Sequence, residues 1–255
     1  MNLDLSRVRA VVRKELREYR RNRLIILTMA LVPLIFLIAP LITVLTVTAT
    51  APSSTVKSAV GAALLFLLVI PASVPSVIAA YSVVGERDQG TLEPLLTTPI
   101  RRTELQLGKG LATIVPSVAI TYSLIAIFYI TIHIAATQAV ISAAWQVPLV
   151  LAELLFAPLL AGWSVFIGLA ISARANDVRV AQQLGTLVSL PILALPTLIT
   201  FQVIHPAVLT AFAFGAGLLL IDTAAWQFAA RMFNPERLIL GTPTKRATTR
   251  APSAR

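Results

Sequence analysis

Long runs without a single Lys, Arg, Asp or Glu alternate along this chain with short clusters of charge. These runs cover residues 24–56, 58–85, 110–152, 154–173 and 180–221. A helix crosses the hydrocarbon core of a bilayer in about 20 apolar residues, so the third run is too long for one crossing. Its more polar middle predicts a loop at 135–146. The pattern therefore predicts an all-α protein with six transmembrane helices, at 24–49, 58–84, 110–134, 148–172, 184–204 and 207–230.

The basic residues predict how these spans are oriented. Of the 21 Lys and Arg residues, twenty fall before span one, between spans two and three, between spans four and five, or after span six. Lys57 falls on the other side. Because cytoplasmic loops carry the Lys and Arg excess of membrane proteins, both termini are predicted to be cytoplasmic. We expect a multi-pass protein of the cell (inner) membrane.

Composition agrees with this interpretation and removes several classes of function. The chain is 57% hydrophobic and 13% charged, with a net charge of +10. In a soluble protein that charge would suggest a nucleic-acid partner, but here membrane orientation accounts for it and no such partner is predicted. The chain contains no cysteine. That excludes a disulfide framework, a thiolate metal site and a cysteine nucleophile.

Residues 1–23 are predicted to form an amphipathic helix in the membrane interface. Apolar positions recur at steps of three and four, at Leu5, Val8, Val12, Leu16 and Tyr19. The opposite face is basic, with Arg7, Arg9, Arg13, Lys14 and Arg17. Such a helix beside a span lies in the interface and contacts anionic lipid. It serves either as an orientation anchor or as a lever joined to span one. A secretory signal peptide is the competing interpretation, but the apolar stretch after it exceeds the usual 7–15 residues.

The loop at 85–109, between spans two and three, is longer and more structured than a simple connector needs. It reads GERDQGTLEPLLTTPIRRTELQLGK. Thr91 is a suitable N-cap for a short helix over 92–96, and Glu93 is favourable in its first turn. That helix would expose Leu92, Leu95 and Leu96, which predicts contact with the membrane or with a protein partner. A capping box beginning at Thr103 is predicted to open span three.

These residues resemble the signature of permeases of the type-2 export class of ABC transporters. The signature combines an acidic–basic pair, Gly-Thr-Leu-Glu, a Leu pair, Thr-Pro, and Leu-x-x-Gly-Lys before the third span. Here it is carried by Glu86-Arg87, Gly90-Thr91-Leu92-Glu93, Leu95-Leu96, Thr98-Pro99 and Leu105-Gln106-Leu107-Gly108-Lys109. RKELREYRRNR near the start resembles the family's entry helix, and RMFNPERLILG resembles its usual ending. The resemblance covers nearly the whole chain.

The resemblance implies a fold and a mechanism. Residues 24–230 would form the membrane domain, and 231–255 a basic cytoplasmic tail whose end is disordered. Such permeases work in pairs, with a second copy or a related permease, and bind two cytoplasmic ATPase subunits. The docking element would be a coupling helix formed by Glu86, Arg87, Asp88, Gly90, Thr91, Leu92, Glu93, Leu95, Leu96 and Thr98. ATP and Mg are expected on the partner, since the chain lacks the G-x-x-x-x-G-K-[ST] pattern, and no catalytic, cofactor or metal residue is predicted here.

Polar and helix-breaking residues inside the spans mark a candidate pathway. Pro71 and Pro75 lie mid-span in the second segment, and Pro191 and Pro196 interrupt the fifth. Prolines remove backbone hydrogen bonds and kink helices, so the fifth run is either kinked or, by the resemblance, part of an outer gate. Asp222 is an acid well inside a span, with a functional or a purely structural role. Glu153, His133 and His205 are predicted to be interfacial.

Two other functions remain as alternatives. An ion-gradient-driven secondary transporter would use Asp222, although such proteins usually show repeated halves and this chain shows none. An intramembrane serine protease is suggested by Gly162-Trp163-Ser164, but the later histidine, His205, is predicted near the outer surface. Small residues at a packing face explain Gly162 and Ser164 more simply. The sequence therefore favours an ATP-driven exporter whose substrate it does not specify among lipids, drugs, peptides and glycans.

Overall fold

The computed structural model describes residues 4–21, 23–90, 100–175, 177–201 and 203–232. No strand occurs in this part of the chain, and the helices follow one another with short connections. They are α1 (Leu5–Arg21), α2 (Arg23–Leu45), α3 (Ser53–Asp88), α4 (Arg102–Ala135), α5 (Gln138–Ala144), α6 (Val147–Ser172), α7 (Val178–Ser189), α8 (Ala194–Thr200) and α9 (Val208–Met232). A 3-10 turn, Leu190–Leu193, joins α7 to α8.

Five helical segments in the described residues are long and apolar enough to cross a membrane. They are Ser53–Arg87, Arg102–Ala135, Val147–Ser172, Val178–Thr200 and Val208–Met232. These correspond to predicted spans two to six. For the first predicted span, α2 supplies an apolar helix, of which Leu31–Leu45 is a shorter apolar segment. The all-helical membrane fold is confirmed, whereas the sixth crossing stays a prediction.

Helices α3 and α6 form the centre of the bundle. Their contact is the most extensive in the structure, and α6 also packs along α9. Small residues permit the close approach, as expected for helices in a membrane. A Cβ atom added at Gly168 on α6 would lie 2.9 Å from the Cβ of Ala79 on α3. Below this point the Ser172 hydroxyl accepts a hydrogen bond from the backbone N–H of Val84, at 3.1 Å, and so ties the ends of the two helices together.

Several element boundaries differ from those that the pattern predicts. The pattern predicts a start of span five at residue 184, but α7 begins at Val178, because the Asp177 carboxylate accepts hydrogen bonds from the backbone N–H groups of Arg179 and Val180. The loop predicted at 135–146 contains the short helix α5, which buries Val140 and Ala144 in the core. A loop prediction from polarity alone misses these two anchors.

The four prolines of the predicted pathway affect their two helical segments differently. Helix α3 runs without interruption through Pro71 and Pro75, both of which are buried. Pro191 lies in the 3-10 turn and Pro196 inside α8, so the fifth segment changes its helical geometry where the sequence predicts an interruption. The helix ends at Thr200, before the predicted end of that span.

Candidate coupling site

Helix α1 lies against the first turns of α4, and the residues between them define the site. The buried positions of α1 are Val8, Val11, Glu15 and Tyr19. The predicted apolar face is therefore close but rotated, because Leu5 is 78% exposed while Glu15 is 1% exposed. The approach depends on Gly108 of α4, since a Cβ atom there would lie 2.5 Å from the Cβ of Val11. The Tyr19 hydroxyl shares a hydrogen bond of 2.9 Å with Thr113 further along α4.

A cluster of opposite charges fills the junction of α1, α3 and α4. Lys109 is completely buried, and its Nζ lies 2.8 Å from Glu15 Oε1 on α1 and 2.8 Å from Glu86 Oε2 on α3. The same ammonium donates to the backbone carbonyl of Ser82, at 3.1 Å. Lys14 pairs with Glu86 and also approaches Glu15 and Glu18, at 3.3 and 3.2 Å. The residues Lys14, Glu15, Glu18, Glu86 and Lys109 are called the ion cluster below.

The ion cluster favours the charged forms of Glu15 and Lys14 against the effect of burial. Burial alone would raise the pKa of Glu15, but the ammonium groups of Lys109 and Lys14 outweigh it and hold that pKa below its ordinary value. Burial and the charge of Lys109 would lower the pKa of Lys14, and here the carboxylates of Glu15 and Glu86 prevail and raise it. Opposite charges a few ångströms apart each favour the ionised form of the other. The cluster is therefore a set of mutually dependent charges.

The ion cluster joins the two ends of the predicted coupling segment. Glu86 lies in the last turn of α3 and Lys109 in the second turn of α4, so their ion pair closes the base of the connection over 89–101. Beside it, the Arg87 guanidinium donates to the backbone carbonyl of Ala175, in the connection between α6 and α7. A movement of residues 89–101 would consequently be transmitted to α1, α3, α4 and the end of α6.

A second set of bonds fixes the start of α4 to the start of α1. The Glu104 carboxylate accepts hydrogen bonds from the backbone N–H of Arg101, at 3.0 Å, and of Asp4, at 3.1 Å. Arg7 lies 3.8 Å from the same carboxylate. The capping box predicted from Thr103 thus begins two residues earlier, at Arg101, because Glu104 rather than Gln106 bonds back to the helix start. Gln106 instead donates to the carbonyl of Trp226 on α9.

The predicted coupling residues fall partly outside the described structure. Glu86, Arg87 and Asp88 belong to the last turn of α3, which continues past the predicted span end at 84. Gly90 follows with φ of 69°, a left-handed conformation that glycine adopts without strain. Thr91, Leu92, Glu93, Leu95, Leu96 and Thr98 lie outside the described residues. Sequence reasoning misses Glu15, although its spacing of four from Val11 and from Tyr19 places it on the buried face of α1.

Three polar residues, Asp222, Glu153 and Ser164, lie deeper in the bundle, on α9 and α6. Asp222 on α9 is 9% exposed and faces α6, where a Cβ added at Gly162 would lie 2.8 Å from Asp222 Oδ2. The sequence predicts an interfacial Glu153, but this residue is 1% exposed, because its position on α6 turns inward among core residues. Neither Glu153 oxygen has a hydrogen-bond partner in the described structure, and the same holds for Ser164 Oγ. Ser164 therefore lacks the general base that a serine nucleophile needs.

A comparison with protein families decides what this bundle is. The family described as ABC-2 family transporter protein matches residues 9–235, from α1 to beyond the end of α9. The chain belongs to the ABC-2 transporter family. The match confirms the resemblance carried by the signature around Glu86 and Lys109, and the ABC-2 protein is a multi-pass membrane domain with a transport role. No curated protein matches the chain.

Proposed function

We propose that this ABC-2 protein is the permease subunit of an ATP-driven exporter. Two copies, or one copy and a related permease, would bind two separate cytoplasmic ATPase subunits and move a substrate outward by alternating access. ATP and Mg would be held by the partner chains. The observation that carries the proposal is the ion cluster, which connects a segment of the family's coupling signature to three helices at one point.

The geometry of the ion cluster supports the transfer of force from a docked ATPase to the helices of the membrane domain. Closely packed bundles change between discrete arrangements rather than deforming continuously, and a ligand biases the arrangement to which it binds better. An ATPase docked on residues 91–98 would act on a segment whose base is held by the buried Lys109–Glu86 pair. Because Lys109 also binds Glu15, the same movement would reach α1. The sequence leaves two roles open for α1, an anchor or a lever, and this ion pair supports the lever.

Co-purification with the ATPase tests the docking role. The tagged chain is expressed with the Walker-motif ATPase that the proposal expects to be encoded beside it, and Leu92→Asp and Leu96→Asp are compared with Leu5→Asp. Leu5 is the matched control, since it is exposed on α1 and lies on the side predicted to be cytoplasmic. We expect both loop variants to stay in the membrane and lose the ATPase, while the control retains it. Unchanged co-purification of both loop variants would contradict the proposal.

Single cysteines test the orientation, and the absence of native cysteine makes the labelling unambiguous. Gln89 and Lys57 are both exposed and lie at opposite ends of α3. A membrane-impermeant maleimide should label Lys57→Cys in intact cells and Gln89→Cys only after the membrane is opened. Labelling of Gln89→Cys from outside would place the coupling segment on the wrong side and exclude ATPase docking there.

A secondary transporter is the other candidate, and the burial of Asp222 is the observation that favours it. No described residue donates a hydrogen bond to this carboxylate, which faces α6 inside the bundle. If an imposed proton gradient drove transport by the purified chain in liposomes without any ATPase, and Asp222→Asn abolished it, this function would replace the exporter. We expect no such transport.

A further inference from the structure

A groove lies on the outer face of α1, opposite the residues that this helix buries against α4. It is lined by Arg13, Leu16, Arg17 and Arg20, and its volume is about 330 Å³. The three arginines are exposed, whereas Leu16 is partly buried and packs against the hydrophobic core. Because the arginines follow one another at steps of four and three residues, they share one face of the helix. They are called the arginine row below.

The arginine row has no acidic partner among the described residues. The acids of residues 4–21 pair with other cations: Asp4 with Arg7, Glu15 with Lys14 and Lys109, and Glu18 with Lys14. No ion pair or hydrogen bond within the described structure includes a side chain of the row. The ion cluster thus uses the negative charge of α1 on one side of the helix. The other side presents three positive charges that can bind an external anion.

The groove lies where the chain is predicted to enter the membrane. Helix α1 ends at Arg21, and α2 begins at Arg23, one residue before the first predicted span. The row ends only four residues before that span. Further along α2, the exposed side chains are apolar, among them Leu27, Leu31 and Leu34. The arginine row is therefore expected at the level of the lipid headgroups, beside a helix that faces the hydrocarbon.

The contact between α1 and α4 changes which face of α1 is available to lipid. The sequence predicts that an apolar face lies in the membrane interface, as in other interfacial helices. In the structure, Val8, Val11 and Tyr19 are buried inside the protein instead. The basic face, with Leu16 at the floor of the groove, remains for contact with lipid. Attraction between charges, rather than insertion of an apolar face, would then govern that contact.

We propose that this groove binds the phosphate headgroup of an anionic membrane lipid, with the arginine row as its ligands. Guanidinium groups bind phosphate oxygens through paired, charge-assisted hydrogen bonds. Leu16 would contact the apolar part of the lipid next to the headgroup. A zwitterionic lipid carries a positive group beside its phosphate, and the row would repel that group. Because α1 also carries Glu15, a lipid bound here would hold the helix that completes the ion cluster.

Lipid binding to the purified full chain tests the proposal without any ATPase. Native mass spectrometry in a neutral detergent measures the binding of phosphatidylglycerol and of phosphatidylcholine with the same acyl chains. We expect one phosphatidylglycerol to bind about tenfold more tightly than phosphatidylcholine, since paired hydrogen bonds to a charged group are among the stronger ones. The triple variant Arg13→Gln, Arg17→Gln, Arg20→Gln should lose this preference.

A matched triple variant removes the same charge outside the groove. Arg102→Gln, Arg174→Gln, Arg179→Gln changes three exposed arginines that are predicted to lie on the same side of the membrane and that do not line the groove. We expect this control to keep the preference, with an affinity changed less than about twofold, because isolated surface charges contribute little. Both triple variants are also checked for unchanged helix content and monodispersity.

Several results would overturn this proposal. An unchanged preference in the groove variant, or an equal loss in both triple variants, would mean that the arginine row forms no specific site. Displacement of the lipid by glycerol 1-phosphate would make the ligand a soluble phosphate. If the groove variant kept its lipid but lost the ATPase on co-purification, the row would serve an acidic partner protein instead. Because the lipid measurement needs no ATPase, its failure would leave the exporter proposal standing.

Discussion

The two ends of the membrane domain bury charge under opposite conditions. At the ion cluster, Lys109 is completely buried and lies within 2.8 Å of two carboxylates from two other helices. At the far end, Glu153 is buried to nearly the same degree and has no partner in the described structure. A satisfied buried ion pair holds helices in register, whereas a buried carboxyl without a partner ties no helices together. The comparison therefore separates a junction that joins three helices from a buried acid that joins none.

The largest expected effect comes from removing the central cation. Lys109→Met would remove the ammonium that lies 2.8 Å from both Glu15 and Glu86 and would leave these two buried carboxylates beside the partly exposed Lys14. Breaking a buried pair in this way costs about 3–5 kcal/mol. We expect a large fall in the thermal midpoint of the purified chain, measured by loss of the monodisperse species on size-exclusion chromatography after heating. A midpoint equal to that of the unsubstituted protein would mean that the ion cluster does not hold the bundle.

Removing the buried carboxyl of Glu153 should change the thermal midpoint in the opposite direction. Glu153→Leu replaces a carboxylate that has no partner by an apolar side chain of similar size. Burial of an unpartnered polar group costs about 1–3 kcal/mol, and the substitution would recover that free energy. The thermal midpoint of the purified chain should therefore rise. A fall as large as that of Lys109→Met would show that Glu153 has a structural partner, and the contrast between the two ends would disappear.

The contact between α1 and α4 can be tested without changing any charge. Gly108→Ala places a Cβ 2.5 Å from the Cβ of Val11 and forces the helices apart. Overpacking of this kind costs about 1–3 kcal/mol. Gly217→Ala on α9 is the control, since nothing lies within 4 Å of the new Cβ there. We expect lower stability and lower ATPase stimulation for the first variant and neither change for the second. Equal behaviour of the two would argue against a tight α1–α4 contact.

The smallest expected effect is that of acidification on the ion cluster. The pKa of Glu15 in the folded protein lies below its ordinary value of 4.5, so its contribution to stability is present above pH 4.5 and is lost as the pH falls through the lowered value. Spin labels at Arg9→Cys and Gln89→Cys would report the distance between α1 and the end of α3. We expect one distance at neutral pH and a broader distribution in acid, below the ordinary pKa of 4.5, with Glu15→Gln less sensitive to pH. A titration in which Glu15→Gln and the unsubstituted protein respond identically to acid would contradict the role of Glu15.

The pattern of apolar runs is sufficient for the helical membrane fold, because a membrane imposes length and polarity on every crossing. Five helical segments long and apolar enough to cross a membrane occur where the pattern predicts spans, within a few residues at most ends. The boundaries that differ do so for local reasons, such as the cap at Asp177 and the buried anchors of α5. Such contacts depend on which atoms meet, and a count of polar residues does not contain that information.

The candidate sites likewise divide into features that the sequence predicts and features that only the structure shows. The signature motif indicates Glu86 and the Gly108-Lys109 pair from the amino-acid sequence alone, because the spacing of those residues is characteristic of the family. It does not show that Lys109 joins Glu86 to Glu15, since an acid within a basic helix looks like a solvated residue. For Glu153 the sequence predicts an interfacial position from depth alone, whereas burial depends on the direction in which the side chain points.

The sequence by itself determined that this chain is a helical membrane protein of the ABC-2 type, with its Lys and Arg residues grouped outside the long apolar runs. Hydrophobic length and charge distribution are properties of the chain, and the bilayer responds to them directly. Only the tertiary structure decided which charges meet. Lys109, Glu15 and Glu86 lie far apart in sequence and on three different helices, and packing brings them within ion-pair distance. The same packing buries Glu153, and neither of its carboxyl oxygens has a hydrogen-bond partner in the described structure.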